Sequence, residues 1–330
     1  MRIPISFSFP IDTAGIAIHS LPAGTYNITI TGVVTRYHKM AEVAGALKNN
    51  HNKYINLDLS QLEGLQFIGM WETGEARDNS ENIGFRGAVH LVSIILPDNL
   101  EFIGNHAFDS CYALEKVQLP ESLRSIGSGA FGNCASLREL AIPEGVESIG
   151  DYAFPGCSAL EKVQLPKSLH SIGSWAFGNC ASLRELAIPE GVESIGDYTF
   201  PGCYSLERLQ LPESLRFIGS QAFCNCASLR ELTIPEGVES IGDNAFSDCS
   251  ALERLQLSGS LLSIGSWAFG NCSSLRELAI PEGVELIDDY AFSGCSALEK
   301  LQLPGHFKQY DIQSRLDIPN RVEITYSDGL

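Results

Sequence analysis

Ten cysteines are the residues of this 330-residue chain best suited to chemistry, and nine of them keep a fixed beat of 23: Cys111, Cys134, Cys157, Cys180, Cys203, Cys226, Cys249, Cys272 and Cys295. A thiol acts as a nucleophile or metal ligand only as the thiolate, and forms a disulfide only with a partner thiol in reach. Nine is odd, so a disulfide frame would leave one unpaired. A cysteine at one fixed place in every repeat, flanked by Phe and Leu columns, reads instead as a small buried apolar residue with an inert thiol. Cys224 breaks the register in Phe223-Cys224-Asn225-Cys226 and is expected to face a loop as the one oxidisable thiol. The Cys-x-Cys spacing there is a coincidence of register.

Other chemistry finds less support. The seven histidines (19, 38, 51, 90, 106, 170 and 306) show no metal-ligand spacing, and His106 and His170 read as surface residues rather than bases. There is no GxSxG, HExxH, P-loop or GxGxxG in a strand–helix context. Acid pairs recur in every second repeat as Glu147 with Asp151, Glu193 with Asp197, Glu239 with Asp243, and Glu285 with Asp289. They read as solvated acids, as a lure for a basic partner, or as a calcium site. The chain has no DxDxDG loop, and pairs 46 residues apart would lie two repeats distant. No enzyme, metal or cofactor is expected. A formal charge of −18, with 22 basic residues against 40 acidic, argues against nucleic acid. No apolar run approaches the ~18 residues of a membrane span. The first twenty residues are apolar but broken by Pro4, Pro10 and Asp12, which does not make a signal peptide.

The cysteines must be positioned by something that repeats as they do. Phe108, Phe131, Phe154 and on to Phe292 form a second column at the same period, and Ile103, Ile126, Ile149 and on to Ile287 a third. Such a period means one unit stacked on copies of itself. In one coil, Leu140 and Ile142 alternate with polar neighbours as a short half-buried strand. Pro143 ends it, Val146 to Ile149 returns along the other wall, and Gly150 permits the next bend. Ala153-Phe154 to Cys157 is too short for a full helix and reads as a turn or a piece of 3₁₀. Equivalent strands one coil apart are expected to pair in parallel.

A doubled period of 46 overlies this one. Residues 115–160 and 161–206 differ at six places only, so there are two coil types. Residues 1–53 read as an N-terminal cap, with a strand over 24–35 and a helix over 37–49. Residues 54–304 hold the repeats, with an insertion near 70–81, and 305–330 form a C-terminal cap in which Val322, Ile324 and Tyr326 alternate as a last strand.

The pattern LxxLxLPxxLxxIGxxAFxxCxxL, over roughly residues 85–304, resembles the treponemal or BspA-like class of leucine-rich repeat. Ser258 departs from the proline column, Asp288 from the glycine and Thr199 from the alanine. The resemblance implies a right-handed, curved leucine-rich-repeat solenoid with a parallel sheet on its concave face and short 3₁₀, turn and β segments on the convex side. It also implies a surface or secreted protein, often an adhesin, that binds other proteins. It carries no catalytic residues.

Two features are left to carry recognition. Across the strands, Glu115, Arg138, Glu161, Arg184, Glu207, Arg230, Glu253, Arg276 and Glu299 alternate in sign, as do Lys116, Glu139, Lys162, Glu185, Arg208, Glu231, Arg254, Glu277 and Lys300. This ladder reads either as a register device, since a slipped coil would meet like charges, or as a binding platform. The position before Ala-Phe varies as His106, Gly129, Tyr152, Trp175, Tyr198, Gln221, Asn244, Trp267 and Tyr290. Trp175, Trp267, Tyr152, Tyr198 and Tyr290 are therefore candidate protein contacts, the alternative being packing over the edge of the core. The reading is a non-enzymatic protein-interaction module, adhesin-like, with an unidentified protein ligand. The alternative is an intracellular or self-assembling scaffold.

Overall fold

Apolar residues at 11, 14, 15 and 18 fall on one face of a helix, and that is where the chain first departs from the sequence reading. The computed structural model describes residues 4–35, 38–50, 52–70 and 84–327. His51 and all but the first residue of the insertion near 70–81 lie outside them. Two compact units are present, residues 1–169 and 170–330, each a stack of windings.

The first unit opens with strand β1 (Ile5–Pro10), helix α1 (Ile11–Ser20), strand β2 (Gly24–Val33), helix α2 (His38–Lys48) and strand β3 (Lys53–Asp58). The N-terminal region thus holds two strand–helix windings, where the sequence pointed to one. Pro10 sits at the strand–helix junction, where its missing N–H and fixed φ are tolerated, and Asp12 lies in the first helical turn, where its charge is favoured. Residues that looked like breaks are joints. The three strands are parallel, with Phe7 opposite Ile28 and Ile28 opposite Leu57. α1 lies against α2 closely enough that a Cβ on Gly15 would meet Glu42 Cβ at 3.0 Å.

β3 then pairs with Leu91–Ile95 through a one-residue register shift after Ile55. That bulge marks where helix-walled windings give way to the 23-residue coils. In each coil a short strand such as Lys116–Gln118 runs to a proline, replaced once by Ser258. A two-residue strand such as Ser125–Ile126 follows, and then a turn carries the Phe and Cys. Phe108, Phe131 and Phe154 stack in a row, with ring centroids 5.0 and 5.2 Å apart. The turns bond from coil to coil, Phe131 N–H to the Ala153 carbonyl and Asn133 N–H to that of Pro155, both at 2.7 Å.

The second unit repeats this plan with one difference from the expected uniform pairing. Its two-residue strands from Ser194–Ile195 to Leu286–Ile287 form one continuous parallel sheet. The longer strands join in separate ladders: Glu185–Ala187 with Arg208–Gln210, Glu231–Thr233 with Arg254–Gln256, and Glu277–Ala279 with Lys300–Leu303. Within this unit the ladder is interrupted after Arg208–Gln210 and after Arg254–Gln256, 46 residues apart. Leu209 and Leu255 are half-buried at the centre of their strands, whereas Leu186, Leu232 and Leu301 are buried. Lys300–Leu303 pairs in turn with the terminal strand Glu323–Tyr326. Between them a 3₁₀ turn and a short helix capped by Asp311 bury Phe307, Ile312, Leu316 and Ile318.

The departures from the pattern are accommodated. Ser258, in the proline's place, is buried, but its hydroxyl donates to the Glu236 carbonyl at 3.0 Å and accepts from Ser260 N–H. Thr199, also buried, donates to the Gly196 carbonyl at 2.8 Å.

Candidate functional site

The thiols are built into the core. All ten cysteines are free and buried. Their sulfurs do more than fill space: Cys134 Sγ–H donates to the Phe108 carbonyl and Cys157 Sγ–H to that of Phe131, both at 3.3 Å. Cys249, Cys272 and Cys295 make the same contact, 26 residues back, in the second unit. Each of these five thiols thus ties its coil to a carbonyl of the previous one. Burial pushes the thiols of Cys111, Cys157, Cys203 and Cys295 up to about 12, which leaves no thiolate at neutral pH. Cys224 corrects the sequence reading. It is only 9% exposed, and burial followed by the Asp248 charge raises its thiol as well, although Asn225 Nδ2 donates to it at 3.3 Å. It packs on the turn wall and is not the expected loop-facing, oxidisable group.

The acids also prove structural where their contacts are seen. Asp197 accepts from Ser220 N–H at 2.7 Å and Asp243 from Ser266 N–H at 2.8 Å. Glu144 accepts from Lys167 N–H and Glu236 from Gly259 N–H, at 3.0 and 2.9 Å. Each carboxylate caps a bend one coil on. Among the described residues no three His, Cys, Asp or Glu side chains converge as metal ligands.

On the strand wall the charge ladder closes into ion pairs. Arg138 meets Glu161 at 3.7 Å, Arg184 meets Glu207 at 3.8 Å and Arg276 meets Glu299 at 3.4 Å. In the neighbouring column Glu185 pairs with Arg208, Glu231 with Arg254, and Glu277 with Lys300. Every one of these pairs lies within a hydrogen-bonded strand ladder. Arg230 and Glu253 belong to such a ladder too, Glu253 N–H reaching the Arg230 carbonyl at 2.8 Å, and Glu115 N–H bonds Val92 one coil back. All these charges are exposed. A shallow, open depression on this wall is lined by Glu277, Ala279, Lys300, Gln302, Glu323 and Thr325.

The aromatic column lies on the turn wall. Tyr152, Trp267 and Tyr290 are exposed, Trp175 and Tyr198 half-buried. Trp175 stacks on Tyr198 with centroids 5.2 Å apart and planes 9° apart, and Trp267 on Tyr290 at 5.4 Å. Gln221 Nε2 extends the first stack by donating to Tyr198 Oη at 2.8 Å. All nine residues of the column have φ between +53° and +64°, the left-handed region. That conformation costs a side chain about 1–2 kcal/mol per residue. Bonds to the next coil hold it, such as Tyr198 N–H to Ser220 and Gln221 N–H to Asp243, both 2.8 Å. Sequence reasoning missed this backbone state, though Gly129 and Asn244 in the same column signalled it. Each Trp also needs a glycine three residues on: a Cβ at Gly178 or Gly270 would stand 2.7 Å from the indole.

Stacked coils with an inward Leu/Ile strand on one wall and buried Phe and Cys columns on the other define a leucine-rich-repeat β-solenoid. Residues 81–207 and 193–314 match the BspA type leucine rich repeat region, and the chain belongs to that family. Among solved structures it is similar to a leucine-rich repeat protein from Bacteroides ovatus, at 24% identity over 91% of this chain and 87% of that one, TM-score 0.46. It is also similar to a leucine rich cell surface protein from Faecalibacterium prausnitzii, at 22% identity over 98% and 88%, TM-score 0.48. A third is the T. pallidum leucine rich repeat protein TpLRR, at 29% identity over 56% and 78%, TM-score 0.43. No curated protein matches the chain.

Proposed function

We propose that the chain is a non-enzymatic protein-interaction module, adhesin-like, that engages a host or extracellular protein through the aromatic column of its turn wall. The observation that carries this reading is the set of Trp and Tyr side chains standing exposed or half-exposed in a strained backbone state. Strain of that kind persists only where surroundings over-determine it, and rigid aromatics lose little entropy on contact. The thiols are buried, and among the described residues no three His, Cys, Asp or Glu side chains converge. The charged wall is the weaker platform, because its opposite charges already satisfy one another.

Glycine is the right replacement for testing the column, since Gly129 already fills one of its places. The double variants Trp175→Gly/Tyr198→Gly and Trp267→Gly/Tyr290→Gly should leave the fold intact. Each should lower capture by immobilised extracellular-matrix proteins by roughly tenfold or more. Unchanged capture would remove the column from the contact surface. Cell fractionation that found the protein only in the cytoplasm would replace the adhesin reading with an intracellular scaffold.

A further inference from the structure

β1 is the terminal strand of its sheet and pairs, among the described residues, with β2 alone. Ile5, Phe7 and Phe9 stand opposite Tyr26, Ile28 and Ile30, on the same face of the sheet. In β2 that face is sealed, with Tyr26 3% exposed and Ile28 and Ile30 fully buried. In β1 it is open, with Ile5 58% and Phe7 37% exposed. Residues that point to the inside of the winding therefore meet solvent. Natural sheets blunt such an edge with charge, a bulge or a covering segment. From Pro4 to Ile11 this chain carries no charge at all, while its net charge is −18. The last strand of the chain's second unit, Glu323–Tyr326, has a charged residue and buried apolar segments packed before it.

We propose that β1 is a self-association edge, where two copies of the chain pair their β1 strands antiparallel about a twofold axis at Phe7. This inference is independent of the aromatic-column reading. Two observations select a second copy as the occupant. Ile5-Ser6-Phe7-Ser8-Phe9 keeps its alternation when reversed, so Ile5 meets Phe9, Phe7 meets its symmetry mate, and the serines meet each other. That self-complementarity is what an isologous contact requires. Second, copies of so acidic a chain repel one another, and this edge brings no charge of its own strand to the approach. Pairing completes the open row of β1 backbone groups and covers Ile5, Phe7 and Phe9 with their counterparts.

Sedimentation velocity of the full 330-residue chain tests this. The expected result is a concentration-dependent shift from 35.8 kDa towards twice that mass, stronger in high salt, which screens the acidic repulsion. Phe7→Lys should weaken the dimer by roughly tenfold or more with little change in melting temperature. Ile5→Lys, at the more exposed site, serves the same purpose should the first variant misfold. Phe7→Cys should give a disulfide-linked dimer under mild oxidation, because symmetry mates in an antiparallel pair sit about 4.5–5.5 Å apart at Cβ and the native thiols are buried. A monomer at high concentration and high salt would overturn the proposal. So would a dimer that survives Phe7→Lys and Ile5→Lys, or one that Phe7→Cys fails to cross-link.

Discussion

The two walls of a coil solve the same stacking problem by different physics. On the turn wall the contacts are buried: stacked Phe rings, thiols on carbonyls, and turn-to-turn backbone bonds between successive coils. On the strand wall buried Leu and Ile lie beneath exposed ion pairs, and in the second unit the backbone ladders are interrupted after Arg208–Gln210 and after Arg254–Gln256. Desolvated packing and exposed charge differ several-fold in worth. The turn wall thus has the more continuous set of buried contacts, and the outer, charged face of the strand wall adds little to the stack. Aromatic residues on the outside of the turn wall stand directly over these buried contacts, and that face, not the more charged one, is the proposed contact face.

The comparison breaks most readily at the Phe column. Phe223 lies between Phe200 and Phe246, 5.3 Å from each. Phe223→Ala should cost about 3–5 kcal/mol in urea unfolding, by lost burial and an unfilled cavity. A loss below ~1 kcal/mol would mean that the turn wall does not dominate.

Alkaline titration sharpens the same contrast at intermediate size. Burial raises the Cys157 thiol from an ordinary value near 9 to about 12. The folded state keeps the proton where the unfolded chain releases it, so the contribution is whole below pH 9 and is lost as pH climbs towards 12. The slope is roughly 1.4 kcal/mol per pH unit for each such thiol. Urea midpoints should therefore fall from about pH 9 upward, and Cys157→Ala, though less stable at neutral pH, should fall less steeply. Equal slopes in parent and variant would show that this thiol is not held protonated by the fold.

The smallest effect is expected on the strand wall. A double-mutant cycle on Arg184→Gln and Glu207→Gln should give a coupling of about 0–1 kcal/mol, declining with salt. A coupling above ~2 kcal/mol, insensitive to salt, would make the charge ladder a principal support and erase the contrast between the walls.

Much of this molecule was legible in its residues. A period of 23 held by Cys, Phe and Ile requires that residue i lie beside residue i+23, and so dictates coil length, the buried columns and the alternation of charge between neighbours. The alternating charges at Arg184 and Glu207 could be paired on paper, and their contact needed no side-chain packing to predict. Residues 5–20 were not legible in the same way, because Pro10 and Asp12 break a strand or helix in isolation yet fit the joint between β1 and α1. Cys224 misled because its position relative to the register says nothing about which way a turn rolls it.

The sequence by itself settled which side chains become neighbours, since equal windings leave no other choice. Tertiary structure alone decided what each neighbour does: which of two equivalent coils a strand bonds to, that the thiols reach back to carbonyls, and that Trp and Tyr sit at positive φ. The reason is that periodicity fixes adjacency, whereas pairing and backbone hand depend on displacements of an ångström or less, and those are set by how all the coils pack at once.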